Sequence, residues 1–146
     1  MTIIISNENI KKIRVHGEQT YPEECCGFLI GYSNDENKVV MIKSTDNVSS
    51  EMRERRYNID PLVILAVDKE VEKMGLEILG IYHSHPDHPA KPSMFDLDHA
   101  WPNVSYVVLS IVQGKSEAMT SWRLSNDRKE FIEEELKIVI NNSSIS

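Results

Sequence analysis

A chain of 146 residues, 40% hydrophobic and 27% charged, has the length and mixture of one soluble domain, 1–146, with its own core. Its formal charge of −7 disfavours nonspecific attachment to nucleic acid or anionic lipid, and no apolar run approaches the roughly 20 residues that cross a bilayer. The opening MTIIISNENIKK has too short an apolar stretch for a secretory signal, so a cytoplasmic protein without membrane or nucleic-acid partners is expected.

Residues 8–20 read as an amphipathic helix with Ile10, Ile13 and Val15 as its apolar positions, weakened near its end by Gly17. CCGFLIGYS has the character of a buried strand, SNDEN of a hairpin turn, and KVVMIKSTDNV of the returning strand. The only cysteines, Cys25 and Cys26, are adjacent, which strains a disulfide and suits a reducing compartment. SSEMRERR is a polar loop leading to a short strand at RYNI. Asp60 before Pro61 is a helix start. The run LVILAVDKEVEKM then puts Leu62, Leu65, Ala66, Val71 and Met74 near one face until Gly75 stops it. LEILGIYHSH is a strand, PSMFDLDHA a short helix, VSYVVLSIV a buried strand and AMTSWRL another, while RKEFIEEELKIVI fits a strand or a helix. Helices and strands mixed with several hairpins make the fold class α+β, a mixed α/β arrangement.

Chemistry concentrates between Gly80 and Ala100, which hold four of the five histidines, three aspartates and three prolines. Residues two apart on a strand share a face, so His83 and His85 project side by side with Ser84 turned away. Two imidazoles so placed can share one zinc ion, at bond lengths of about 2.0–2.1 Å. Pro86 ends the strand, and Pro89 and Pro92 stiffen a loop that delivers Ser93 and Asp96. Ser93 suits a helix N-cap, with Asp96 on the same side of the first turn. Two histidines and a carboxylate leave a fourth zinc position for water, the arrangement of a catalytic site. His88 and His99 are spare ligand candidates without the strand pairing, and Asp87 and Asp98 are expected in solvent.

The run HSHPDHPAKPSMFD has the form His-x-His-Pro, six residues, Ser, two residues, Asp. It resembles, without a gap, the signature of the JAMM (JAB/MPN-type) zinc metalloproteases. YPEECCGFLIG resembles the same family's Pro-x-Glu-x-Cys-Gly segment, and AWPNVSYVVLS its continuation in small prokaryotic members, so the likeness spans Glu18 to Leu124. The resemblance implies a curved, mostly antiparallel sheet flanked by helices, of the cytidine-deaminase-like MPN type. It implies one zinc per chain held by His83, His85 and Asp96, with Glu24 as general base and Ser93 as the hydroxyl that steadies the oxyanion.

What the resemblance implies for function is a metallopeptidase. It would cut the peptide or isopeptide bond at the C-terminal diglycine tail of a ubiquitin-like sulfur-carrier protein. The chain lacks room for the long insertions of relatives that cleave ubiquitin chains. The segment SSEMRERRY lies where relatives bring a loop near the substrate tail, which could add as an extended strand beside Arg53, Arg55 or Arg56. A solvated charge run is the plainer account of those arginines. Cys26 fits a buried inert thiol, nothing around Cys25 signals reactivity, and Trp101 and Trp122 mark core or rim packing. Two rivals stand beside the peptidase: a non-catalytic MPN-type interaction module, and a metallohydrolase of small-molecule amides.

Overall fold

In the computed structural model, which describes residues 1–140, the order is β1 (Thr2–Ser6), α1 (Asn7–Thr20), β2 (Cys26–Ser33), β3 (Asn37–Thr45) and α2 (Pro61–Glu72). There follow β4 (Glu77–Pro86), α3 (Met94–Asp98), β5 (Ser105–Val112), β6 (Lys115–Leu124) and β7 (Phe131–Val139). The strands lie in the order β1-β3-β2-β4-β5-β6-β7, and β7 pairs with β1 to close the sheet into a barrel. Pairings are antiparallel except β1–β3, β1–β7 and β4–β5. Closure removes the free sheet edges that invite association, and the fold is of the expected α+β class.

Alternation along β2 divides the core in two. Leu29 joins Ile3, Ile10, Ile13, Leu109 and Ile111 on the α1 side, while Phe28 and Ile30 join Val67, Val71 and Ile81 on the α2 side. Each such side chain contributes about 1.5–3 kcal/mol by leaving water. The helix starts follow local chemistry. Ser6 Oγ accepts from the Asn9 N–H at 3.2 Å, and the Asp60 carboxylate accepts from the Leu62 N–H at 2.9 Å with Pro61 in the first turn.

The structure overturns two sequence expectations, the RYNI strand and the buried face of α2, and adds to others. RYNI forms no strand; its backbone is tied instead to the side chain of Asn47, described below. MTIIIS, read only as a short apolar stretch, is β1, and the ambiguous tail is β7. On α2 the buried residues are Val67 and Val71, with Val63 and Ile64 packed beside them, whereas Leu62, Leu65 and Met74 are exposed. Six apolar residues in a row leave the face undetermined, and contact with β4 selects it. α1 runs through Gly17 to Thr20, and the missing Cβ there lets the helix approach the sheet, since a Cβ would press on Leu109 and Ile111.

Candidate active site

Register assembles residues far apart in sequence. Pairing of β2 with β4 sets Cys26 opposite His83, and beyond the last pair the Cys25 N–H donates to Ser84 Oγ at 2.8 Å. Glu24 is thereby carried to the end of β4 that bears His83 and His85. On the other flank α3 begins at Ser93 with a reciprocal cap. Ser93 Oγ accepts from the Asp96 N–H at 3.1 Å, and the Ser93 N–H donates to Asp96 Oδ2 at 2.8 Å. Oγ serves there as an acceptor, so its own hydrogen is left to donate elsewhere.

The side chains converge closely. His83 Nε2 lies 3.2 Å from His85 Nε2 and 3.2 Å from Asp96 Oδ2, and His85 Nε2 lies 3.1 Å from the same oxygen. A tetrahedral zinc site with bonds of about 2.0–2.1 Å spaces its ligands by about 3.3–3.4 Å, so the triangle is close to one face of such a site. Ligand atoms of Glu24, His83 and His85 also lie within 4.8 Å of one another. Of the four buried side-chain atoms without a hydrogen-bond partner among the described residues, three belong here: Glu24 Oε1, His83 Nδ1 and Asp96 Oδ1. Such concentration of unmet polar groups is costly unless something binds them. The donor set of imidazole nitrogens and carboxylate oxygens fits a divalent ion.

Electrostatics separate the two carboxyls. Burial would raise the Asp96 pKa, but the close-lying His83 and His85 rings and the Ser93 N–H outweigh it and hold the group well below the usual carboxylate range. Burial, reinforced by the nearby Asp96 charge, pushes Glu24 up to about 9. Burial also lowers the His83 pKa against the pull of Asp96, which favours the neutral ring a metal requires. His85 Nδ1 stands 3.0 Å from the Pro89 carbonyl. A carbonyl only accepts, so Nδ1 carries hydrogen and Nε2 is free to offer its lone pair. The Tyr57 ring stacks on His83 at 4.5 Å between centroids.

Asn47 and Tyr57 escaped sequence reading. Asn47 Nδ2 donates to the carbonyls of Glu24 and Arg56, at 3.1 and 2.9 Å. Its Oδ1 accepts from the N–H groups of Ser49 and Asn58, both at 3.1 Å. One amide thus ties the Glu24 backbone to the loop on the far side of β3. A lone Asn before a polar loop carries no sequence mark of that duty. Asn47→Ala is expected to destabilise the protein by about 2–3 kcal/mol in a denaturant titration. Asn47→Asp should do no better despite equal size, because it sets oxygen against the Glu24 and Arg56 carbonyls.

The other singled-out residues lie apart. His88 is exposed, and His99 stacks on Phe95 while donating Nδ1–H to its carbonyl at 2.8 Å. Asp87 is exposed yet not idle, accepting from the Tyr21 hydroxyl at 2.6 Å and the Gln113 N–H at 2.8 Å. Cys25 and Cys26 are buried free thiols, and burial pushes their pKa values up to about 11 and about 12, the reverse of an activated nucleophile. Trp101 is half exposed, and Trp122 Nε1 donates to Thr120 Oγ1 at 2.8 Å. Arg56 lies over the Phe95 ring at 4.5 Å and pairs with Glu51 at 3.7 Å, while Arg53 Nε donates to the Ser49 carbonyl at 2.7 Å. Among the described residues no helix is long and apolar enough to cross a membrane.

Comparison with known proteins points the same way. The family model described as prokaryotic homologs of the JAB domain matches residues 6–125. A desampylase of Haloferax volcanii is 36% identical over 90 residues, covering 61% of this chain and 63% of that protein. A desampylase of Pyrococcus furiosus is 37% identical over 119 residues, 80% of this chain and 76% of that one. A probable TtuB-protein conjugate cleaving protease of Thermus thermophilus is 48% identical over 52 residues, 36% of this chain and 35% of that one. The match to the Haloferax protein thus spans under two thirds of that relative. Among solved structures, AF2198 of Archaeoglobus fulgidus, a JAB1/MPN domain protein, superposes with a TM-score of 0.57 at 19% identity, over 95% of this chain and 99% of that one.

Proposed function

The chain belongs to the family of prokaryotic homologs of the JAB domain, and on that premise we propose a zinc-dependent metallopeptidase acting on conjugates of a ubiquitin-like sulfur carrier. Its substrate would be the peptide or isopeptide bond that follows the carrier's C-terminal diglycine, and it would act in the cytoplasm as one domain, 1–146. The observation that carries this reading is the triangle of His83 Nε2, His85 Nε2 and Asp96 Oδ2, with edges of 3.1–3.2 Å, beside the buried and unpartnered Glu24 Oε1. The relatives named desampylase and conjugate cleaving protease support the substrate class.

His83, His85 and Asp96 would hold the ion, because His83 Nε2, His85 Nε2 and Asp96 Oδ2 lie 3.1–3.2 Å apart, close to the ligand spacing of a tetrahedral site. Zinc bound there supplies water activation near neutral pH and Lewis-acid polarisation of the carbonyl. Glu24 takes the proton from water and returns it to the departing nitrogen, and the positive charge of an ion bound beside it would favour the ionised carboxylate that the first of these steps needs. Ser93 donates its free hydroxyl hydrogen to the carbonyl oxygen as negative charge grows there. A protein that only bound partners would have no use for a buried carboxyl with an unmet oxygen, which disfavours the interaction-module reading.

The test is cleavage of a diglycine-ended carrier fused to a reporter. Zinc-loaded protein is expected to release the reporter after the second glycine, and a chelator should stop it, with activity returning on zinc addition. Chelator-resistant cleavage would refute the metal mechanism, and a zinc-loaded protein inert towards every carrier fusion would refute the substrate class.

A further inference from the structure

Of the five tyrosines, four have an evident place for their hydroxyl. Tyr21 donates to Asp87, Tyr82 is bonded to His16, Tyr106 accepts from the Trp101 N–H, and Tyr32 is exposed to water. Tyr57 is the fifth, half-buried and without a hydrogen-bond partner among the described residues. Its ring is held against His83, 4.5 Å between centroids and 23° from parallel. It lines a cavity of ≈ 380 Å³ that reaches Asp96 and is walled by Phe95, Trp101 and Tyr106. We infer that Tyr57 is a specificity-determining residue whose hydroxyl donates to the main-chain carbonyl one residue upstream of the scissile bond, so that the site takes peptidyl rather than simple acyl amides. This deepens the hydrolase reading proposed above and rests on it.

The placement follows from the two flanks of the site. A trigonal carbonyl carbon sends its nitrogen and its α-carbon in different directions. The nitrogen belongs beside Glu24, at the β2 entry, so the acyl arm leads to the α3 flank. There the cavity opens beside Asp96, and Glu24 is not among the residues that line it. An extended chain advances about 3.3–3.4 Å per residue. The Tyr57 ring is displaced from the ligand His83 by a comparable distance, so the next carbonyl up the chain, rather than the scissile one, comes within reach of its hydroxyl.

The preference follows from donor and acceptor chemistry. A phenol, with a pKa of about 10, keeps its hydrogen at neutral pH, and a main-chain carbonyl can only accept. Stacked on a buried imidazole, the ring has little freedom, so the hydroxyl is fixed before substrate arrives. Selectivity comes from what a poor substrate leaves undone. An arm that displaces water from the hydroxyl without offering an oxygen strands a donor, which costs more than the bond itself gains. Acetyl and other simple acyl amides carry no carbonyl at that position, whereas a peptide carries one at every residue. The cavity therefore suits a peptide arm better than a small-molecule amide.

The experiment uses zinc-loaded protein and two conjugates of one diglycine-ended carrier, assembled by ligation. One is natural, and in the other the amide between the two glycines is replaced by a trans-alkene of equal length. Tyr57→Phe keeps the ring and its stack and removes only the hydroxyl. It is expected to raise KM for the natural conjugate about fivefold, the effect of one neutral hydrogen bond, while kcat stays as in wild type. For the alkene conjugate, wild type and variant should share one KM, or one inhibition constant against the natural conjugate if the alkene is not cut. Zinc content and zinc affinity, read in parallel, should match wild type. An unmoved KM, or an equal loss on both conjugates, overturns the assignment while cleavage itself continues. Weaker zinc binding by Tyr57→Phe would overturn it too, making the hydroxyl a support of the metal ligands. If zinc-loaded wild type cuts neither conjugate, the hydrolase reading fails and takes this inference with it.

Discussion

Glu24→Gln is expected to keep its zinc and to lose turnover of a carrier conjugate by about 10³-fold, within the range for removal of a general acid–base. Glutamine preserves the size of the side chain but can neither take the proton from water nor give it to the departing amine. His83, His85 and Asp96 remain, so metal content by elemental analysis should match wild type. Wild-type cleavage by the variant would refute the base assignment, and loss of zinc would make Glu24 a ligand. The metal-free protein gives an independent readout. Burial lifts the Glu24 pKa from 4.5 to about 9. Below pH 4.5 native and unfolded chains are both protonated there. Between those values only the native chain holds the proton, so its stability falls as pH rises, levelling off above about 9. In the variant, denaturant titrations across that window should lack this decline.

The parts of the site legible in sequence are those that local geometry dictates. His83 and His85 share a strand face because side chains alternate, and Ser93 and Asp96 meet across one helical turn as a cap and its third residue. Local rules also gave Asp60 and Pro61 as a helix start. Glu24 is different. Nothing in EECC distinguishes it from Glu23, and only the family pattern singled it out. Its placement depends on β2 pairing with β4 in a register that sets Cys26 against His83, a match between segments 57 positions apart. Asn47, Tyr57 and the Pro89 carbonyl act through contacts that no spacing announces. The misread face of α2 has a similar cause, since an uninterrupted apolar run holds no periodicity and the sheet decides which side is buried.

The same register explains why the motif glycine follows the cysteines. A Cβ at Gly27 would overlap the Tyr82 ring, which is fully buried one residue before His83 and bonded through its hydroxyl to His16 of α1. Gly80, further along β4, lies equally close to the Ser105 carbonyl. The strand bearing both histidines is thus clamped by neighbours at backbone distance, which fixes the imidazoles without requiring the ion to order them. A site held this rigidly before binding loses little freedom when a ligand arrives.

His83→Ala should abolish zinc binding and with it detectable cleavage, a fall of at least about 10⁴-fold given that water activation and carbonyl polarisation vanish together. The side chain is fully buried, at 0% exposure, between Tyr57, His85 and Asp96, so water cannot readily take its place as a ligand. Stability separates metal loss from misfolding. A ligand that binds only the native state raises the unfolding free energy by about 2.7 kcal/mol at a hundredfold excess over its dissociation constant. Zinc titration should therefore raise the unfolding midpoint of the wild type and leave that of His83→Ala unmoved. His88→Ala, which alters an exposed ring outside the cluster, should respond to zinc as wild type does. A full zinc response from His83→Ala would remove this imidazole from the ligand set, and failure of His88→Ala to respond would extend the set into the loop.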